Sequence, residues 1–228
     1  MRVARGIDVL REVADSPRFG RPSALRDHLR REALELARAD ELVDAAYSYR
    51  IVALEAPAAP TLRAGGETVH APRLLPESGQ LTALACAVCT LGTRLEQRVT
   101  SLFAERRASL ALALDQLGNE LLFAASRRVQ DRMLVDAARR GLSVAGELRA
   151  GDPGLALAEQ ATVLRLAQAG LIGVHVSDDQ LMQPLKSVSM VMGVGLDLPP
   201  AQWSRCDDCP RREKCKLVAR VEDAAVHH

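Results

Sequence analysis

From Pro22 to Val43, apolar residues recur at helical spacing: Leu25, Leu29, Ala33 or Leu34, Leu36 and Ala37, with charged residues between them. The pattern predicts an amphipathic helix with Pro22 or Ser23 in its first turn. Ala46–Leu54 alternates as a strand does, and Thr61–His70, with Gly65-Gly66 inside it, predicts a hairpin. Leu81–Leu91 is almost wholly apolar between Gly79 and Gly92, which marks a fully buried strand. Thr93 then caps a helix, with Glu96 in capping-box register. The longest element is a helix over Ala108–Arg139, striped by Leu110, Leu114, Leu117, Leu121, Ala125 and Val129 and ended by Gly141. Leu142–Arg149 predicts a strand, Ala150–Gly154 a turn, and Leu155–Gln168 a helix ended by Gly170.

The stretch Leu171–Gly195 predicts a short apolar strand, then a polar connection centred on Ser177-Asp178-Asp179. Met182 and Pro184 follow, ahead of a second buried strand over Val188–Val194. Two apolar strands joined by a polar, Pro-bearing connection make a scaffold for a functional loop. Strands that follow one another without helices favour an α+β fold with a mixed or antiparallel sheet. The expected organisation is a helical N-terminal segment over 1–45, an α+β domain over 46–200 and a Cys-rich tail over 201–228.

Composition changes this picture little. Aromatic residues make up 3% of the chain, so the core must come from Leu, Val and Ala. A net charge of +1 suggests neither nucleic acid nor an anionic membrane as partner. No apolar segment follows the initial Met-Arg-Val, and none approaches the ~18 residues of a membrane span, so a soluble, cytoplasmic protein is expected. His227-His228 read as the start of a purification tag.

The five cysteines, at 86, 89, 206, 209 and 215, are an odd number in close clusters, which favours metal or thiol chemistry over a disulfide frame. Cys206, Cys209 and Cys215 form C-x2-C-x5-C, whose paired thiolates can chelate zinc or an iron–sulfur cluster; the alternative is a loose reduced tail. Cys86 or Cys89 could complete a four-cysteine site, although on a strand their side chains point to opposite faces. His175, within the expected strand, reads as a packed histidine. Arg149 at a strand end before a helix could grip a carboxylate through its planar fork, or it could flank a tight Gly-Asp-Pro turn. There is no Gly-rich phosphate loop, nucleophile elbow or His-Glu-x-x-His, so hydrolase and nucleotide-binding readings find no support.

Several pieces, in order, resemble the activation domain of cobalamin-dependent methionine synthase, and more closely its short stand-alone relatives. They are Thr90-Leu91-Gly92-Thr93-Arg94-Leu95-Glu96, Leu114-Asp115-Gln116-Leu117-Gly118, Gln160, and Ile172 to Ser177 leading to Met182-x-Pro184-x-x-Ser187-Val188-Ser189. The last is the most specific. Some stand-alone relatives also carry a Cys-rich tail like this one. The resemblance implies a C-shaped α+β domain with a twisted, mainly antiparallel sheet and flanking helices, holding S-adenosylmethionine in a shallow groove. It implies reductive remethylation of cobalamin on a partner, either cobalamin-dependent methionine synthase or another corrinoid protein, with flavodoxin or ferredoxin as electron donor. Carried over by position, Arg149, Pro153 and Gly154 face the methionine carboxylate, while Met182, Pro184, Ser187 and Ser189 shape the groove wall. An iron–sulfur or zinc-binding redox or docking module on the same scaffold, without S-adenosylmethionine, is the alternative. The family turn reads Arg, two residues, then Pro-Gly-Tyr; here three residues intervene and Leu155 replaces the Tyr.

Overall fold

The computed structural model describes residues 1–15 and 23–199. In chain order its regular elements are β1 (Arg2–Ala4), α1 (Leu10–Asp15), α2 (Ala24–Ala39), β2 (Ala46–Ala53), β3 (Thr61–Ala64), β4 (Glu67–His70) and β5 (Gln80–Thr90). There follow α3 (Arg94–Ala104), α4 (Ala108–Ala138), β6 (Ser143–Leu148), α5 (Gln160–Ala167), β7 (His175–Val176), β8 (Met182–Gln183) and β9 (Ser187–Leu196). Three short 3-10 turns connect them. The fold is α+β: five strands in the order β1-β2-β5-β9-β6 make one antiparallel sheet, and β3-β4 and β7-β8 are separate two-stranded ribbons. Among the described residues, no helix is long and apolar enough to cross a membrane.

The apolar run at β5 has its expected cause. β5 lies at the middle of the sheet, and the two faces of the sheet are covered by different cores. Ala85, Ala87 and Cys89 point toward the α4 side, Leu84, Cys86 and Val88 toward the α5 side. Small side chains under α4 let the helix lie close to the sheet, and Leu114, Leu117 and Leu121 fill the gap with essentially no exposure. α1 and α2 pack into the same core as α4. The other face is covered by α5, the β3–β4 ribbon and the Pro72–Leu74 turn.

The helix ends show where local chemistry decides. α2 stops at Ala39 rather than Val43, because Glu41 turns left-handed and Leu42 N–H reaches back to the Ala37 carbonyl, 3.0 Å away. The Glu41 N–H meets the Arg38 carbonyl, completing a Schellman motif that seats the buried Leu42. α4 ends in the same motif, with Gly141 at the left-handed position as its residue type predicts. The expected capping box at Thr93 does not form. Thr93 makes no side-chain cap bond, and the Glu96 carboxylate instead accepts the Leu185 N–H at 2.7 Å and the Lys186 N–H at 3.4 Å.

The strand expected from Leu171 is also largely absent. Ala169–Ile172 is a 3-10 turn, Gly173 follows at φ +73°, and only His175–Val176 pairs, with Met182–Gln183. His175 is therefore exposed rather than packed within a strand. The helix expected over Leu155–Gln168 is regular only from Gln160, and Gln168, not Gly170, makes the left-handed stop.

Candidate functional site

The edge strand β6 pairs with β9 in register from Ser143 to Ala145, then slips before Leu148 meets Val191. The slip centres on Gly146 at φ +71°, a backbone angle open to glycine and costly for other residues. The bulge turns Glu147 and Arg149 toward α4. The Gln130 side-chain amide of α4 donates to the Glu147 carboxylate at 2.7 Å. Arg149 Nε and Nη2 both lie 3.0 Å from Glu147 Oε1, so the guanidinium and the carboxylate neutralise one another in a partly buried pair. Sequence inspection missed this clamp, although a glycine inside a strand pattern is its signal.

Beyond Arg149 the chain makes the expected turn, and the turn uses its own donors. Asp152 accepts the Arg149 backbone N–H on its carboxylate at 2.9 Å, and the Asp152 N–H returns to the Arg149 carbonyl at 2.8 Å. Gly151 N–H bonds the Leu155 carbonyl, and Leu155 N–H bonds the Asp152 carbonyl. The regular helix begins only at Gln160, so no helix N-terminus adjoins this turn. Gly154, at φ +90°, lies under the Arg73 side chain, whose carbons come within 2.8–3.0 Å of where a Cβ would stand. Pro153 is exposed, whereas Leu155, in the family's Tyr position, is buried in the α5-side core.

The second group of residues lies on the other face. Val188 and Met190 belong to the α4 side, so Ser187 and Ser189 between them face α5. Ser187 Oγ donates to Thr90 Oγ1 at 2.8 Å, and Thr90 Oγ1 also accepts the Gly92 N–H at 3.1 Å. Ser189 is buried in one cross-strand row with Val88 and Ser48, and Ser48 Oγ donates to the Ala167 carbonyl of α5. Met182 packs half-buried against this core, and the buried Pro184 follows a cis peptide bond from Gln183. Gln160 is buried at the start of α5 and donates its side-chain amide to the Gln180 carbonyl at 3.0 Å. The loop that carries Met182 and Pro184 is thus tied to α5 by Gln160 and to α3 by Glu96.

The structure gathers Gln160, Met182, Pro184, Ser187 and Ser189 on the α5 side. It places the Arg149 guanidinium across the sheet from them, while the Arg149–Leu155 backbone leads into the α5-side core. A further cluster sits on the α4 side: Lys186 Nζ lies 2.8 Å from Asp115 Oδ1 and 2.7 Å from Asn119 Oδ1.

Cys86 and Cys89 do not converge. Each is fully buried in a different core, and burial pushes both thiols up to about 12, against smaller opposite effects of Arg50 and Arg149 respectively. Such thiols stay protonated and inert. They cannot ligate one ion together, because strand alternation sends them to opposite faces. Cys206, Cys209 and Cys215 lie outside the described residues. Among the described residues no group of three or more His, Cys, Asp or Glu side chains could hold a metal ion.

No protein-family model matches the sequence, and no curated protein matches it. Among solved structures, the chain is similar to a crystal structure of the MetH reactivation domain bound to AdoHcy. The TM-score is 0.60 at 12% identity, covering 98% of this chain and 89% of that one. The likeness is one of fold, and it runs the length of both chains.

Proposed function

We infer that this chain is a reactivation module for a corrinoid-dependent methyltransferase such as methionine synthase. It would bind S-adenosylmethionine and dock on a separate corrinoid protein. The observation that carries the reading is the full-length fold likeness to a reactivation domain bound to AdoHcy, the compound S-adenosylmethionine becomes once its methyl group has left. The short specific segment from Met182 to Ser189 supports it.

The residues fit the ligand in part. Met182 and Pro184 offer an apolar wall beside the buried amide of Gln160. The ligand would supply an electrophilic methyl group, and this chain's residues would hold and orient it. Arg149 is the group of suitable charge for a carboxylate, yet Glu147 already neutralises it. It also lies across the sheet from Met182 and Gln160, so a ligand seated against them leaves Arg149 paired with Glu147: Gln160→Ala should weaken S-adenosylmethionine binding, whereas Arg149→Ala should leave it unchanged. Titration calorimetry with the two variants checks this directly. For the wild type, ligand at about one hundred times Kd should add ~2.7 kcal/mol of stability in a melt. No shift with millimolar S-adenosylmethionine, with or without a corrinoid protein, counts against the reading.

One observation favours a second reading, a docking or redox module that does not bind this ligand. The turn after Arg149 spends its donors internally and buries Leu155 where an aromatic contact would stand. In that case the partner contact, with flavodoxin or ferredoxin as electron source, would carry the function, and the cysteine pattern of the tail would bear an iron–sulfur cluster or zinc. Anaerobic purification followed by metal and sulfide analysis decides that point.

A further inference from the structure

Lys186, the last residue of the connection between β8 and β9, has every polar group engaged, and its partners come from three elements. Its N–H, with that of Leu185, points to the Glu96 carboxylate of α3. Its carbonyl accepts the Leu91 N–H at 2.9 Å and the Thr90 hydroxyl at 3.4 Å, at the end of β5 and just beyond it. Its ammonium lies 2.8 Å from Asp115 Oδ1 and 2.7 Å from Asn119 Oδ1 of α4. The side chain is 13% exposed, low for a residue that normally keeps its charge in water.

The path of that side chain accounts for a glycine. Gly118 stands inside α4, where glycine is unfavourable compared with alanine. A Cβ there would stand 3.2 Å from Lys186 Cε and 3.0 Å from Leu95 Cδ2. Asp115, Gly118 and Asn119 are three and four residues apart, so they share one face of the helix. Together they make a socket, with two oxygen acceptors at its rim and no side chain where the lysine stem passes. The pieces Thr90–Glu96 and Leu114–Gly118, separate in sequence, thus both close on Lys186. That lysine stands two residues after Pro184 and one before Ser187.

We propose that Lys186 is a positioning residue: seated in the α4 socket, it sets the segment Met182–Leu185 where Met182 and Pro184 wall the ligand. The ligand in this statement rests on the reactivation reading; the hold on the segment does not. Lys186 lies on the α4 side and acts through the segment, not by touching the ligand. Gln160 ties the chain ahead of the segment at Gln180, and Glu96 ties it at Leu185. The lysine side chain adds the tie that fixes it against α4. Asp115 is 45% exposed and regains water when the lysine charge is removed, so the pair adds little to overall stability. What it supplies is the place of the loop.

Two variants of the full chain test this. Lys186→Met keeps the stem over Gly118 and removes the charge, while Asp115→Asn removes the charged partner. Both should unfold near the wild-type urea midpoint. Without ligand, the Leu185 and Lys186 amides of both should exchange hydrogen roughly 2- to 30-fold faster than in the wild type, with the β5 amides unchanged. Affinity for S-adenosylmethionine in titration calorimetry should fall by a factor in the same range, and the double variant should lose no more than either single one. Wild-type exchange at Leu185 and Lys186 in both variants overturns the proposal, whatever the ligand does. Faster exchange shared by β5 also overturns it, since the lysine would then serve general stability. Unchanged affinity in the variants of a wild type that binds does the same. A wild type that binds no S-adenosylmethionine, with the two amides still faster in the variants, leaves Lys186 as the anchor of the segment and sinks the reactivation reading instead.

Discussion

The two faces of the central sheet are built from different materials. Under α4 the sheet presents Ala83, Ala85, Ala87 and Cys89, and the helix returns Leu114, Leu117, Leu121, Ala125 and Val129, with Ser126 as the buried polar residue on the helix. Under α5 the buried set includes Ser48, Thr90, Ser187, Ser189, Gln160 and Thr162. A buried hydroxyl or amide costs stability unless it is bonded; Ser48 and Gln160 here donate to carbonyls and Ser187 to the Thr90 hydroxyl, each across elements. The α4 face therefore supplies stability through area and close packing. The α5 face gives up some of it to hold loops in fixed positions, as a satisfied buried polar network does.

The largest expected effect tests the first half of that contrast. Leu121 is fully buried, so Leu121→Ala should cost about 2–5 kcal/mol in denaturant unfolding through lost contacts and a residual cavity. It should leave ligand affinity unchanged once the protein is folded; a specific loss of affinity would show that the α4 face takes part in the site.

A smaller effect comes from the polar rim of the α4 side. Tyr49 donates to Asp136 at 2.7 Å, and Arg2 lies 2.8 Å from the same carboxylate. The Tyr49 hydrogen bond, with Arg2, Arg139 and Arg140 nearby, holds Asp136 below the usual carboxylate range. A depressed carboxylate contributes stability above its unfolded value, and that contribution is lost as pH falls through the folded value. Asp136→Asn should therefore cost about 1–2 kcal/mol near neutral pH and progressively less in acid. Stability curves of both proteins against pH check it, and a difference independent of pH would mean that the charge contributes nothing.

On the α5 face, Ser187→Ala removes one donor to Thr90 and should cost about 1 kcal/mol. Its effect on S-adenosylmethionine binding should exceed its effect on stability, the reverse of Leu121→Ala. A destabilisation equal to that of Leu121→Ala would collapse the contrast between the faces. The smallest effect is at the surface, where Arg165 of α5 grips Glu67 of the β3–β4 ribbon at 2.7 and 2.8 Å. Arg165 is more than half exposed, so Glu67→Gln should cost less than about 1 kcal/mol and fade in high salt.

Much of the fold could be read in advance because its signals are local. Leu81–Leu91 had to be buried on both faces, and Gly141 had to end the long helix, since each pattern is stated within a few residues. The errors have a shared cause. Glu96 sits in capping-box register with Thr93, but the loop after Pro184 offers two N–H groups and takes the carboxylate. Arg149 looks free in sequence, although Glu147 two residues earlier shares its face of the strand and neutralises it; the bulge at Gly146 decides which side of the sheet the pair faces. Leu171–Val176 reads as a strand by composition, yet Gly173 at φ +73° leaves two residues to pair.

The sequence alone determined the α+β class and the positions of the long strands and helices. Periodicity and glycine placement act along the chain, so they can be read along it. Which face each candidate residue occupies was decided by tertiary structure. One bulge in an edge strand sends Arg149 toward α4, while regular alternation in β9 sends Ser187 and Ser189 toward α5. Cys86 and Cys89, adjacent in motif, are separated by the thickness of the sheet for the same reason. Side-chain direction in a strand depends on register with its neighbours, and register is a property of the assembled sheet.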